Sequence, residues 1–220
     1  MIGDEVNTMY SSPGLRFKAS SPNNQANTYL FDYQFVRKAG KVGEKRALIE
    51  KNGKKADPKE PPPNTQAFQY SDILLAPVQL LDERFQEYYT YRLLREDVLN
   101  GEKAWVLEVA PRITSGTRYL GGTLWLKQTD SSVLRIEWDP ATFGYYEKIL
   151  LRAKTYRAKP QVVSYTEFGF EKNGLRFPSV DFTEEAYLAD NNKVFIRAQT
   201  KVAYKNYKFF TVESETAIRK

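Results

Sequence analysis

The amino-acid sequence predicts an α+β fold, mainly β, in which about ten antiparallel strands form one strongly curved sheet and two short helices cover its concave side. Three observations carry that expectation. Apolar residues alternate with polar ones over long stretches, most clearly in Trp105, Leu107 and Val109 and again in Leu134, Ile136 and Trp138, and a period of two cannot fit a helix. Tight-turn pairs such as Asn52-Gly53, Asn100-Gly101 and Asn173-Gly174 punctuate these stretches, and each can supply the positive φ angles of a hairpin. Only Ser71 to Leu81 and Ala141 to Arg157 read as helical. A flat sheet of about ten strands is unusual, so the sheet should curl around those two segments.

Taken in order, residues 1–28 are polar and rich in Ser, Asn and Pro, and read as a loose lead-in with one short strand at Leu15 to Ala19. Residues 29–220 are expected to form a single domain. Tyr29, Phe31, Tyr33 and Phe35 alternate with Leu30, Asp32, Gln34 and Val36, which makes a strand with one strongly aromatic face. Arg46 to Glu50 is a shorter strand, and Pro58, Pro61, Pro62 and Pro63 then forbid regular structure as far as Asn64. Ser71 can cap a short helix or two broken turns that bury Ile73 and Leu74 and are interrupted by Pro77. Tyr91 to Trp138 reads as two successive hairpins, with turns at Asn100-Gly101 and at Gln128 to Ser132. Ala141 to Arg157 places Tyr146, Ile149, Leu150 and Ala153 on one side of an amphipathic helix. From Gln161 the period of two returns, in Val162 to Glu171, Leu175 to Phe177, Val180 to Leu188, Val194 to Tyr204 and Phe209 to Glu213.

Composition narrows function mainly by exclusion. The 220 residues are enough to bury roughly 70% of the unfolded surface without disulfides or metals. With neither Cys nor His, zinc ribbons, thiol catalysis and every Ser-His or Cys-His nucleophile are ruled out. No cofactor is implied. A net charge of +6 invites an anionic partner, but it is unevenly spread. Lys193, Arg197, Lys201 and Lys205 share a strand face with Phe195, Gln199 and Ala203, as expected of a solvated outer face. The basic segment from Arg37 to Lys59 comes without an RNP-like motif or a helix-turn-helix, so no nucleic-acid partner is expected. No apolar run approaches the roughly 18 residues of a membrane span, and no secretory signal is read at the start.

Several of these stretches resemble the LolA/LolB-like superfamily of bacterial lipoprotein carriers. They are the strand Tyr29 to Phe35, the hairpin built from Tyr91 to Arg95 and Asn100 to Val109, and the hairpin built from Gly122 to Lys127 and Val133 to Glu137. The last pair is similar to the family's tryptophan strand, short polar turn and strand ending Arg-x-Glu. The likeness covers about Thr28 to Thr216, whereas the first residues and the Pro-rich segment have no counterpart. It implies an open half-barrel with helices over its mouth, a periplasmic or cell-envelope setting, and a lipid or lipidated protein as partner.

The leading expectation is therefore a monomeric, non-enzymatic protein with an apolar cavity for acyl chains, in peripheral contact with a membrane. Phe31, Phe35, Trp105, Leu107, Leu134, Ile136 and Trp138 are its candidate lining, and Ile73, Leu74, Tyr146, Ile149 and Leu150 belong to the covering helices. The alternative is a protein-interaction or envelope-stress sensor domain of the same fold, offering a sheet edge or groove to another envelope protein. Catalysis by carboxylates alone has only Glu184 with Glu185 and Glu167 with Glu171 to draw on. Adjacent strand residues face opposite ways, which disfavours the first pair.

Overall fold

The computed structural model describes residues 2–8, 26–38, 41–57, 80–113 and 119–208. Among the described residues, thirteen strands and one α-helix make up the regular structure. The strands are β1 (Ile2–Thr8), β2 (Ala26–Lys38), β3 (Lys41–Lys51), β4 (Lys54–Lys55), β5 (Tyr89–Leu99), β6 (Glu102–Pro111), β7 (Gly122–Lys127), β8 (Val133–Trp138), β9 (Ala158–Glu167), β10 (Phe170–Lys172), β11 (Leu175–Phe177), β12 (Val180–Ala189) and β13 (Val194–Lys205). Helix α1 spans Tyr146–Tyr156, and short 3₁₀ segments occupy Glu83–Tyr88 and Pro140–Thr142. Eleven strands form one antiparallel sheet in the order β4-β3-β2-β1-β13-β12-β9-β8-β7-β6-β5, while β10 and β11 form a separate ribbon. The mainly β, antiparallel expectation is met.

Local chemistry accounts for most of the turns. Asn52-Gly53, Asn100-Gly101 and Asn173-Gly174 all carry paired positive φ angles, for example 52° and 84° at Asn100 and Gly101, as a two-residue hairpin with the right-handed strand twist demands. Helix α1 begins later than its periodicity suggests, because Pro140–Thr142 is a 3₁₀ turn capped by Asp139. It ends at Arg157, whose left-handed φ of 50° lets its amide donate to the Ala153 and Lys154 carbonyls. Two segments differ from expectation. Within the stretch read as a lead-in, Ile2–Thr8 is β1 and pairs with both β13 and β2, a long-range pairing without local signature. β3 is longer than Arg46 to Glu50 because its register with β2 continues to Lys41. The expected elements at Leu15 to Ala19, Ser71 to residue 79 and Phe209 to Glu213 lie outside the described residues, as do Ile73 and Leu74.

The main core sits on the face of the sheet that α1 covers. Tyr89, Val109, Leu124, Ile136 and Trp138 pack there with Leu80, Phe143 and Phe168. Next to it, Ile149 and Ala153 of α1 pack on Tyr187. A smaller cluster of Ala104, Val106, Trp125 and Leu134 lies on the opposite face. Leu134 is thus a correction, since its alternation with Ile136 and Trp138 predicts one shared face. Trp125 pairs with Arg135 but Leu126 with Val133, so Leu134 is the extra residue of a bulge in β8. A bulge reverses the facing of all that precedes it in the strand, and Val133 joins the main core instead.

Candidate functional site

The register across β6, β7 and β8 places Trp105, Leu107, Leu124, Leu126, Ile136 and Trp138 on the helix-bearing face. Of the expected lining residues, Ile136 is 0% exposed and Trp138 8%, so these two are packed core. Trp105 and Leu107 are only partly buried and belong to none of the buried clusters. Leu93, opposite Leu107 on the edge strand β5, is 62% exposed. An apolar strip therefore continues outward from the core along β6 and β5. Phe31 is buried at the far end of the same face, with the Tyr33 and Tyr204 rings edge to face at 6.3 Å beside it. Phe35 stands in β2, and its side chain is outside the described ones. Leu134, on the opposite face, does not join the set.

Among the expected covering residues, Ile149 is fully buried and Tyr146 partly, whereas Leu150 is 39% exposed and Leu151 60%. Leu150 is a further correction, since it points away from the sheet. A hollow of about 390 Å³ beside α1 is lined by Leu150 and Leu151 with Glu147, Lys154 and Arg157, and touches none of the expected lining. Far from being loosely laid on the sheet, α1 is pinned to it. Arg152 donates from Nε and Nη2 to the two carboxylate oxygens of Glu185, at 2.8 and 3.0 Å. Arg197 donates to Glu185 at 3.2 Å, and the Tyr187 hydroxyl donates to it as well. Burial, with the Glu185 carboxyl second, pushes the Tyr187 hydroxyl well above the usual phenol range.

This cluster was not legible in the sequence. Arg197 reads as one of a solvated basic row, yet β13 bulges beside it: Ala186 pairs with Ile196 but Glu185 with Ala198. The extra residue turns Arg197 onto Glu185, while Lys201 and Lys205 remain exposed as expected. The carboxylate pairs weighed as catalysts are likewise separated. Glu184 accepts from Gln199, Glu185 binds the two arginines, Glu167 pairs with Arg135 and Glu171 with Arg176.

The middle of the helix-bearing face is polar. Ser164, Thr183 and Thr200 lie side by side on β9, β12 and β13, with Ser164 and Thr183 2.9 Å apart. The indole of Trp138 donates to Thr166 at 2.9 Å, and the Thr166 hydroxyl donates to Asp181 at 3.0 Å. Burial pushes the Asp181 carboxyl up from 3.8 to about 6, against the Thr166 hydroxyl and the Phe182 amide, which pull it down. Apolar neighbours of these residues face the other way: Tyr165 and Phe182 stack at 5.1 Å beneath Arg135, whose guanidinium is 4.1 Å from the Tyr165 ring. Hydropathy alone would orient these strands in the reverse sense.

No family model matches the chain, and no curated protein matches it. Solved structures do. An outer membrane lipoprotein-sorting protein domain from Vibrio parahaemolyticus is similar with a TM-score of 0.48 and 10% identity, over 97% of this chain and 86% of that one. A LolA superfamily protein from Nitrosomonas europaea is similar with a TM-score of 0.38 and 12% identity, over 96% and 87%. The MucA/MucB complex of Pseudomonas aeruginosa is similar with a TM-score of 0.24 and 13% identity, over 91% and 87%. Among the described residues, no helix is long and apolar enough to cross a membrane.

Proposed function

We propose that this chain is a non-enzymatic binding protein of the bacterial cell envelope that takes up the acyl chains of a lipid or a lipidated partner against the helix-bearing face of its sheet. The observation that carries this reading is the apolar strip of Trp105, Leu107 and Leu93, which leaves the core partly uncovered, with the exposed Glu96 opposite Trp105 at its edge. The packed core of Ile136 and Trp138 borders it, and the right-handed twist of so large a sheet would curl it around a chain laid along that strip. The envelope setting is what the resemblance of the hairpins implies. Saturable binding of a fluorescent fatty acid is the test. Leu107→Glu should abolish it while preserving the fold by circular dichroism, and lipid should be extracted from protein purified from its host. A probe that fails to saturate, or that binds Leu107→Glu as well as the parent, removes the reading.

A second reading is favoured by β5, the terminal strand of the sheet, where Leu93, Leu94 and Val98 are exposed. An edge that no strand of the described residues pairs with, and that bears apolar side chains, is suited to receive an added strand from another envelope protein. In that case Leu94→Arg would abolish cross-linking of β5 to a partner in the host envelope and leave fatty-acid uptake unchanged.

A further inference from the structure

The polar middle of the helix-bearing face has two groups whose hydrogen bonding is incomplete. Thr200 is 1% exposed, and its hydroxyl has no hydrogen-bond partner among the described residues. Asp181 accepts from the Thr166 hydroxyl and the Phe182 amide, and no cation of the described residues acts on it. Buried hydroxyls in folded proteins are nearly always satisfied, and the Asp181 carboxylate, on a partly buried side chain, is left open to a positive partner. The Asp181 carboxyl lies beside Thr166, which the Trp138 indole holds in place, so it adjoins the packed core that the apolar strip borders. The register sets Asp181 two positions from Thr183, and Thr183 opposite Thr200.

We propose that Asp181, Thr166 and Thr200 form a head-group site for a primary ammonium carried on an alkyl chain. The carboxylate supplies charge and an acceptor, and the hydroxyls supply further acceptors for the remaining N–H bonds, which is the full requirement of an ammonium group. A fatty carboxylate would instead meet the like charge of Asp181, because Arg152 and Arg197 on this face are both committed to Glu185. The site rests on the acyl-chain reading and states which end of the cargo the sheet selects.

The test uses the full chain at pH 7.5, with displacement of a fluorescent fatty acid by dodecylamine, 1-dodecanol, dodecanoate and a lysophosphatidylethanolamine, each below its micellar concentration. Dodecylamine should bind about tenfold more tightly than 1-dodecanol, the size of one charge-assisted hydrogen bond, and more tightly still than dodecanoate. Asp181→Asn keeps the bond from Thr166 and should bring the amine within about twofold of the alcohol without weakening the alcohol. Thr200→Val should reduce the amine preference by a smaller factor. Tight binding of the lysophospholipid as well assigns a lipid head group, and its exclusion assigns a simple amine or lysine-like group; both uphold the site. Equal binding of amine and carboxylate, or an amine-to-alcohol ratio unmoved by Asp181→Asn, overturns the site and leaves the acyl-chain reading intact. Failure of every dodecyl compound to bind overturns both.

Discussion

The attachment of α1 to the sheet can be measured through Arg152 and Glu185. The Glu185 side chain is 0% exposed, whereas Arg152 is 28% and Arg197 34% exposed. When the carboxylate is removed, both cations can recover water; when a cation is removed, the carboxylate cannot. Loss of one partner of a buried pair costs about 3–5 kcal/mol, and the remaining bonds from Arg197 and Tyr187 reduce this for Arg152→Met to about 2–3 kcal/mol. Glu185→Gln, which keeps shape and a partial acceptor, should cost about 1–2 kcal/mol. The double variant should cost less than the sum, with a coupling energy of about 1–2 kcal/mol. Urea unfolding followed by tryptophan fluorescence gives these values if the slope with urea is unchanged. Hydrogen exchange should speed up in α1 of Arg152→Met before it does in β6 to β8. A coupling under about 0.5 kcal/mol, or exchange in α1 unaltered, would show that Ile149 and Ala153 hold the helix without the ion cluster.

Three other outcomes follow from the same geometry. Asp181 has a folded pKa of about 6 against an ordinary 3.8, so the folded state binds the extra proton between these values and stability falls as pH rises from about 4 to about 6. The gap of about 2 units corresponds to about 3 kcal/mol; urea unfolding at pH 4.5 and 7.5 should show most of that loss in the parent and little of it in Asp181→Asn, and an identical pH profile would remove the assignment. Trp138→Ala should cost about 3–5 kcal/mol because the ring is 8% exposed and its indole is hydrogen-bonded, and Trp105→Ala about 1–2 kcal/mol less; equal losses in denaturation would contradict the assignment of Trp105 to a partly open strip. A Cβ at Gly122 would collide with the Glu137 carbonyl oxygen and lie 3.1 Å from the Trp138 Cα, so Gly122→Ala should lower stability by more than about 2 kcal/mol and leave the melting temperature well below the parent's.

Strand identity and hairpin position are legible in the sequence because both are set locally. The period of two in Trp105 to Val109 and the positive φ required at Asn100 and Gly101 involve only neighbouring residues, and both recur unchanged in the structure. Helix α1 is legible for the same reason, apart from its first turn. Which face each side chain occupies is a different matter. One extra residue at Leu134 and another at Arg197 reverse the facing that alternation implies, and a bulge is selected by cross-strand partners far away in sequence. Those two reversals exclude Leu134 from the candidate lining and bring Arg197 into the anchor of α1. β1 likewise becomes a strand by pairing with residues near both ends of the described chain. Asp181 reads locally as one more alternating polar residue. Only the packed sheet decides that it lies inward, beside Thr166 and away from any cation of the described residues, because burial and charge compensation depend on all the strands at once.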